Sequence, residues 1–149
     1  LKALQDAYAE EPFVHVTDHT FYRGLAAAVL RSTARGADAR RFSRALRQSM
    51  RLLREWAREG PDFVHMLTFL EAEKALLKGR ASQADALFLQ AATTALKQGF
   101  IHHAALAHER RAQSLSNQRR DLDAATAIGH AIGLYRQWGA LAKCAQLDS

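Results

Sequence analysis

The sequence predicts an all-α chain of antiparallel helix pairs stacked in a short solenoid. Three observations predict it. Apolar residues recur at helical spacing, and no segment alternates with period two for long enough to make a strand. Glycines at 36, 60, 79, 99 and 139 cut the chain into helix-length pieces, each placed where a left-handed residue would stop a helix. The chain also repeats itself. A shift of 40 residues superposes Ala72 on Ala112, Ala84 on Ala124, Phe88 on Ile128, Ala91 on Ala131 and Gly99 on Gly139. A shift of 39 the other way takes Ala84 to Ala45, Ala91 to Leu52, Ala95 to Trp56 and Gly99 to Gly60.

A period of this size with two helices per unit is the pattern of a tetratricopeptide-like (TPR-like) α-solenoid. The expected helices are 18–34, 38–58, 62–78, 82–98, 101–117, 121–137 and 140–147, with a partial one at 2–10. Asp18, Pro61-Asp62 and Asp121 stand where N-caps or first-turn acids belong. Ala84, Phe88 and Ala91 share one helix face, the small residues allowing close approach and the aromatic filling the gap to the next pair. The units are 18–60, 61–99 and 100–139, with a terminal helix 140–147 that covers the last pair or begins a linker. Trp138 and Tyr135 fall at the end of the last unit, so Trp138 reads as a structural stop.

At 149 residues the chain makes one domain with a sizeable core. Only 2 prolines and 8 glycines are too few for the many turns of an all-β fold. A single cysteine, Cys144, rules out an internal disulfide framework and suits a reducing, cytoplasmic setting, where it reads as a small buried hydrophobe. The longest apolar run, Leu25 to Leu30, is far short of the roughly 20 residues of a membrane span. The start is acidic and amphipathic, unlike a signal peptide, and lacks Met, so a fragment of something larger is expected.

The charge is concentrated on one helix. Residues 31–60 hold 9 arginines and 3 acids, while the other 12 basic residues are balanced by 12 acids, so the net +6 sits here. Arg40, Arg44, Arg47, Arg51, Arg54 and Arg58 are spaced 4, 3, 4, 3 and 4 apart and fill an arc of roughly 80°. Phe42, Ala45, Ser49, Leu52, Leu53 and Trp56 point the other way. The plain reading is a solvated stripe over a buried one. The functional reading is a surface for an acidic protein partner. Nucleic acid is disfavoured, because the aromatics that could stack on bases face inward.

No catalytic, cofactor-binding or metal-binding constellation emerges. His15 and His19 have the spacing of a zinc pair, but Asp18 between them reads as a cap, so the pair straddles a helix start. His102 and His103 are adjacent and diverge by about 100° on a helix. Glu71 and Glu73, two apart, face different directions. The stretch Gly79 to Ala86 lacks the Lys-Ser/Thr of a P-loop.

The order of several soft motifs resembles the helical region of very large bacterial and fungal signalling ATPases. The carriers are "HTFYRGLAAA" (His19 to Ala28), Trp56-Ala57, then Pro61, Phe63 and His65. After these come "EAEKALLKG", Ala84, Ala91, Gly99-Phe100, "AALAHE" and "YRQWGALAK" ahead of Leu147. In that family a kinase-like domain and a STAND-type AAA ATPase precede the helical repeats, and a GAF domain with a sensor histidine kinase commonly follows. The resemblance spans about 18 to 147. It departs over "RRAQSLSNQRRDLDAATAIGHAIGLY" (Arg110 to Tyr135), which is more polar. There Asn117 stands near an expected glycine, and Gly129 and Gly133 interrupt a helix, either for a close contact or in a loosely held unit. The family's kinase, nucleotide-binding and phospho-acceptor motifs are absent, so the resemblance implies a non-catalytic TPR-like scaffold making protein contacts within a signal-transduction protein. A stand-alone module binding an acidic protein, peptide or nucleic acid through the arginine stripe is the alternative. The pattern sets no oligomeric state.

Overall fold

The computed structural model describes residues 2–139 and Asp148, with side chains from Val16 onward. It contains α1 (Lys2–Arg31), α2 (Gly36–Ala57), a 3-10 turn (Pro61–Phe63), α3 (Val64–Leu77), α4 (Ala81–Lys97), α5 (Ile101–Asn117) and α6 (Asp121–Trp138). There is no strand among the described residues. Consecutive helices pair as α1–α2, α3–α4 and α5–α6. Helices α1, α3 and α5 touch in turn as one layer, α2 also packs on α3, and α4 lying along α5 makes most of the contact between the last two pairs. The fold is therefore all-α with packed adjacent helix pairs.

Chemistry at the loops explains the regular turns. At the end of α3 the Gly79 N–H donates to the Leu76 carbonyl and Arg80 N–H to Ala75, at 3.0 and 2.9 Å. This is the Schellman arrangement, which needs a left-handed residue at its centre. It recurs 20 residues on, with Gly99 N–H to Leu96 and Phe100 N–H to Ala95, and again with Arg119 N–H to Ser116 and Arg120 N–H to Leu115. Gly79 and Gly99 have φ of 73° and 84°, and Arg119 takes the same conformation at φ 63°. The missing glycine of the third unit thus belongs to position 119 rather than beside Asn117.

Two other expectations are corrected, at Asp18 and Gly60, and two more are narrowed, at Asp121 and at Gly129 and Gly133. The first described helix begins at Lys2 instead of near 18, so Asp18 is not a cap and the His15–His19 pair does not straddle a helix start. Gly60 is extended, with φ of −165°, and opens the 3-10 turn. Asp121 is a first-turn acid of α6, one of the two places expected for it, and the preceding Arg120 holds the cap position. Gly129 and Gly133 do not serve a close contact, since a Cβ at either would meet nothing within 4 Å. The close approach lies elsewhere. A Cβ on Gly24 would sit 2.7 Å from Ser49 Cβ and 2.8 Å from Leu70 Cδ1, so glycine lets α1 cross α2 and α3. The expected terminal helix 140–147 and Cys144 lie outside the described residues.

The core follows the repeat. Ala72, Ala84, Ala91, Ala112, Ala124 and Ala131 are all buried, as the 40-residue frame requires. Phe21, Phe69 and Phe88 form an edge-to-face ladder from α1 through α3 to α4, with ring centroids 5.1 and 5.6 Å apart. Such pairs add about 0.5–1.5 kcal/mol each beyond the area they bury. Towards α6 the core shrinks to two small clusters, one around Tyr135 and one around Leu115.

Candidate interaction surface

All six arginines of the stripe, Arg40, Arg44, Arg47, Arg51, Arg54 and Arg58, are exposed along one side of α2. The opposite side buries Leu46, Ser49, Met50 and Leu53 in the core, with Phe42, Ala45 and Trp56 packed at its edge. Leu46 and Met50 complete a floor that the sequence reading had only partly assigned. Ion pairing on α2 is confined to Asp38 with Arg41, at 3.5 Å, among the described residues. No carboxylate lies within ion-pair distance of the six stripe guanidiniums in the same set. Shallow hollows run along the stripe, one lined by Arg44, Arg47, Gln48 and Arg51.

Polar groups in the interior behave differently. Glu73 on α3 is 2% exposed and accepts two hydrogen bonds from the Arg110 guanidinium on α5, the second at 2.9 Å. Glu109 accepts from the Tyr135 hydroxyl at 2.9 Å, joining α5 to α6. Asp85 accepts from Arg111 at 2.7 Å, joining α4 to α5. Glu71 is only half-buried, as its place two residues from Glu73 requires.

A histidine chain ties the three layer helices together at their other end. His65 Nε2 lies 2.8 Å from His103 Nδ1, and His103 Nε2 faces Asp18 Oδ1 at 3.7 Å. One ring donates to the other across this contact. The Asp18 carboxylate, which only accepts, favours a proton on His103 Nε2 and hence donation by His65 Nε2. At this distance, however, neither His103 Nε2 nor His65 Nδ1 has a hydrogen-bond partner among the described residues. The rings are walled by aromatics: Phe100 stacks on His103 at 5.5 Å, and Phe21 lies 5.0 Å from it. Burial, followed by the neighbouring His102, pushes His65 down to about 4 and His103 to about 2, where His65 also contributes. Burial likewise lowers His108 to about 4, with His130 and Arg111 beside it. The cluster is neutral at pH 7 and acts as a packed spacer. His19 is exposed, and the His15 side chain lies outside the described side chains. No group of three or more His, Cys, Asp or Glu among the described residues is placed to hold a metal ion.

Sequence reading missed these cross-helix pairs, but a signal existed. Glu73–Arg110 and His65–His103 are separated by 37 and 38 residues, close to the repeat period, while Glu109–Tyr135 and Asp85–Arg111 are both 26 apart. Polar residues at one repeat's separation are where equivalent helices meet. Trp138 ends α6 as expected; it is 53% exposed and stacks on His102 at 5.0 Å. No protein-family model, curated protein or solved structure matches this chain. No helix among the described residues is long and apolar enough to cross a membrane.

Proposed function

We propose that this chain is a non-catalytic helical-repeat scaffold that docks an acidic protein surface on the arginine face of α2. One observation carries the reading: six exposed guanidiniums share a line along one helix without ion-pair partners among the described residues. From Arg40 to Arg58 the stripe runs about 27 Å, at 1.5 Å per residue. Such a face offers five donors per side chain in a rigid fork suited to carboxylates. Stacked helix pairs hold it in fixed register, and a small shift between pairs would change the spacing presented to a partner. The resemblance to the helical region of large signalling ATPases supplies a context, in which the acidic surface belongs to a neighbouring domain of a parent chain or to a separate protein. Duplex or single-stranded nucleic acid is the weaker reading, because Phe42 and Trp56 pack against the core instead of standing out to stack on bases.

Calorimetric titration with a glutamate-rich peptide of about 18 residues, the length that spans the stripe as a helix, tests the proposal. Saturable binding at about 50 mM salt that weakens severalfold by about 200 mM is expected, since screening shortens the reach of exposed charges. Absence of binding at the lower salt would overturn it.

A further inference from the structure

Beside the stripe, α1, α2 and α3 enclose a cleft of 260 Å³. Leu46 and Met50 from α2 and Leu77 from α3 form its apolar floor; the first two are each 4% exposed. Four cations ring it: Arg31 at the end of α1, Arg47 on the stripe, and Lys74 and Lys78 on the last turns of α3. The Arg31 Nε–H donates to Ser43 Oγ at 2.9 Å, which fixes that guanidinium at the rim. No carboxylate among the described residues lines the cleft. The nearby acids lie outside the lining: Asp38 pairs with Arg41, and Glu71 stands one turn before Lys74 on α3. Arg47 is shared between this cleft and both hollows along the stripe, so the apolar cleft and the arginine face form one surface.

We propose that the cleft seats one large apolar side chain of an acidic protein segment, while the arginine stripe grips the carboxylates on either side of it. This rests on the reading of α2 as a docking face for acidic protein. Size favours an anchor residue, since 260 Å³ is below the roughly 300–1,000 Å³ of small-molecule sites. One side chain in a desolvated pocket, surrounded by polar contacts, is also how interfaces concentrate their affinity. Charge sets the neighbours of that residue: four cations with no carboxylate in ion-pair range among the described residues, set around an apolar floor, favour Leu, Met or Phe among Asp and Glu. A lipid tail is far longer than the cleft, and a nucleic acid brings phosphates with no aliphatic group to fill the floor.

Two fluorescein-labelled glutamate-rich peptides of about 18 residues, identical except for a central Leu or Ala, test this by anisotropy. The Leu peptide should bind at least about tenfold more tightly, the value of burying one such side chain. Ser43→Phe, filling the cleft from α2, should bring the Leu peptide to the affinity that the same variant shows for the Ala peptide. A helical circular-dichroism spectrum like that of the parent reports that the variant is folded, and Leu77→Phe, which leaves the Arg31–Ser43 contact in place, should repeat the effect from α3. Equal binding of both peptides, lost in Arg44→Glu/Arg51→Glu/Arg54→Glu, would overturn the cleft and leave the stripe. Binding of neither peptide would overturn both. Binding of phosphatidylserine vesicles as tight as that of the Leu peptide, and insensitive to Ser43→Phe, would also overturn the anchor pocket.

Discussion

Charged groups on α2 and charged groups buried between α3, α5 and α6 obey opposite rules. Inside, both buried carboxylates have fixed partners: Glu73 takes Arg110 and Glu109 takes Tyr135. Outside, six guanidiniums stand side by side on α2 with no carboxylate in ion-pair range among the described residues. A buried charge must be paired or the fold loses several kcal/mol, so the interior pairs hold helices together. Like charges three and four apart instead destabilise a helix by about 0.2–0.5 kcal/mol each. The stripe therefore opposes folding slightly, and its use lies with whatever neutralises it.

Removing an interior partner should produce the largest effect. Glu73→Ala leaves the Arg110 head group without its carboxylate and should lower stability by about 3–5 kcal/mol in urea unfolding. The double change Glu73→Ala/Arg110→Ala should recover part of that loss, because no unpaired charge remains. A double variant as unstable as the sum of the two singles would mean that packing, and not pairing, is what the site supplies.

Acid should be the next strongest perturbation. His65 and His103 are lowered to about 4 and about 2 in the folded chain, against about 6.5 when unfolded. Below pH 6.5 the unfolded chain therefore binds protons that the folded chain refuses. The stability present above that pH is lost progressively as pH falls towards the folded values. Between pH 7 and pH 5 the two together should cost about 4 kcal/mol. Replacing both rings, as in His65→Phe/His103→Leu, should flatten the profile over that range. An unaltered slope would show that these rings take up protons in the folded state.

Smaller gains are expected where the backbone departs from its own repeat. Arg119 holds the left-handed position that Gly79 and Gly99 fill in the earlier units. Arg119→Gly should raise stability by about 1 kcal/mol. Ala at Gly129 or Gly133, where the added methyl meets nothing, should add about 0.5–1 kcal/mol each. Thermal melts resolve shifts of this size. A loss at either α6 position would point to a contact made through that helix face.

The same contrast explains what was legible in the sequence. Helix boundaries were readable because glycine chemistry and the repeat mark them: 101–117 matches α5, and 121–137 falls one residue short of α6. The arginine stripe was readable because its pattern is local to one helix, and the structure leaves every member exposed. The continuous α1 was missed because Asp18 looks like a cap, whereas it stands mid-helix and faces His103. The histidine chain, the Glu73–Arg110 pair and the α1–α2–α3 cleft were missed for one shared reason. Each is made by residues on different helices, and period alone does not say which face of one unit meets which face of the next. Gly24 belongs with them, since its need for space comes from Ser49 and Leu70 on other helices.

Reversing the charges tests the central claim most directly. The variant Arg44→Glu/Arg47→Glu/Arg51→Glu changes only exposed side chains, so it should fold with helical content like the parent. Against glutamate-rich and lysine-rich peptides of about 18 residues, the parent should bind the acidic one and the variant the basic one, with affinities exchanged by at least about tenfold. Parent and variant binding the acidic peptide alike would contradict the assignment of α2 as the docking face.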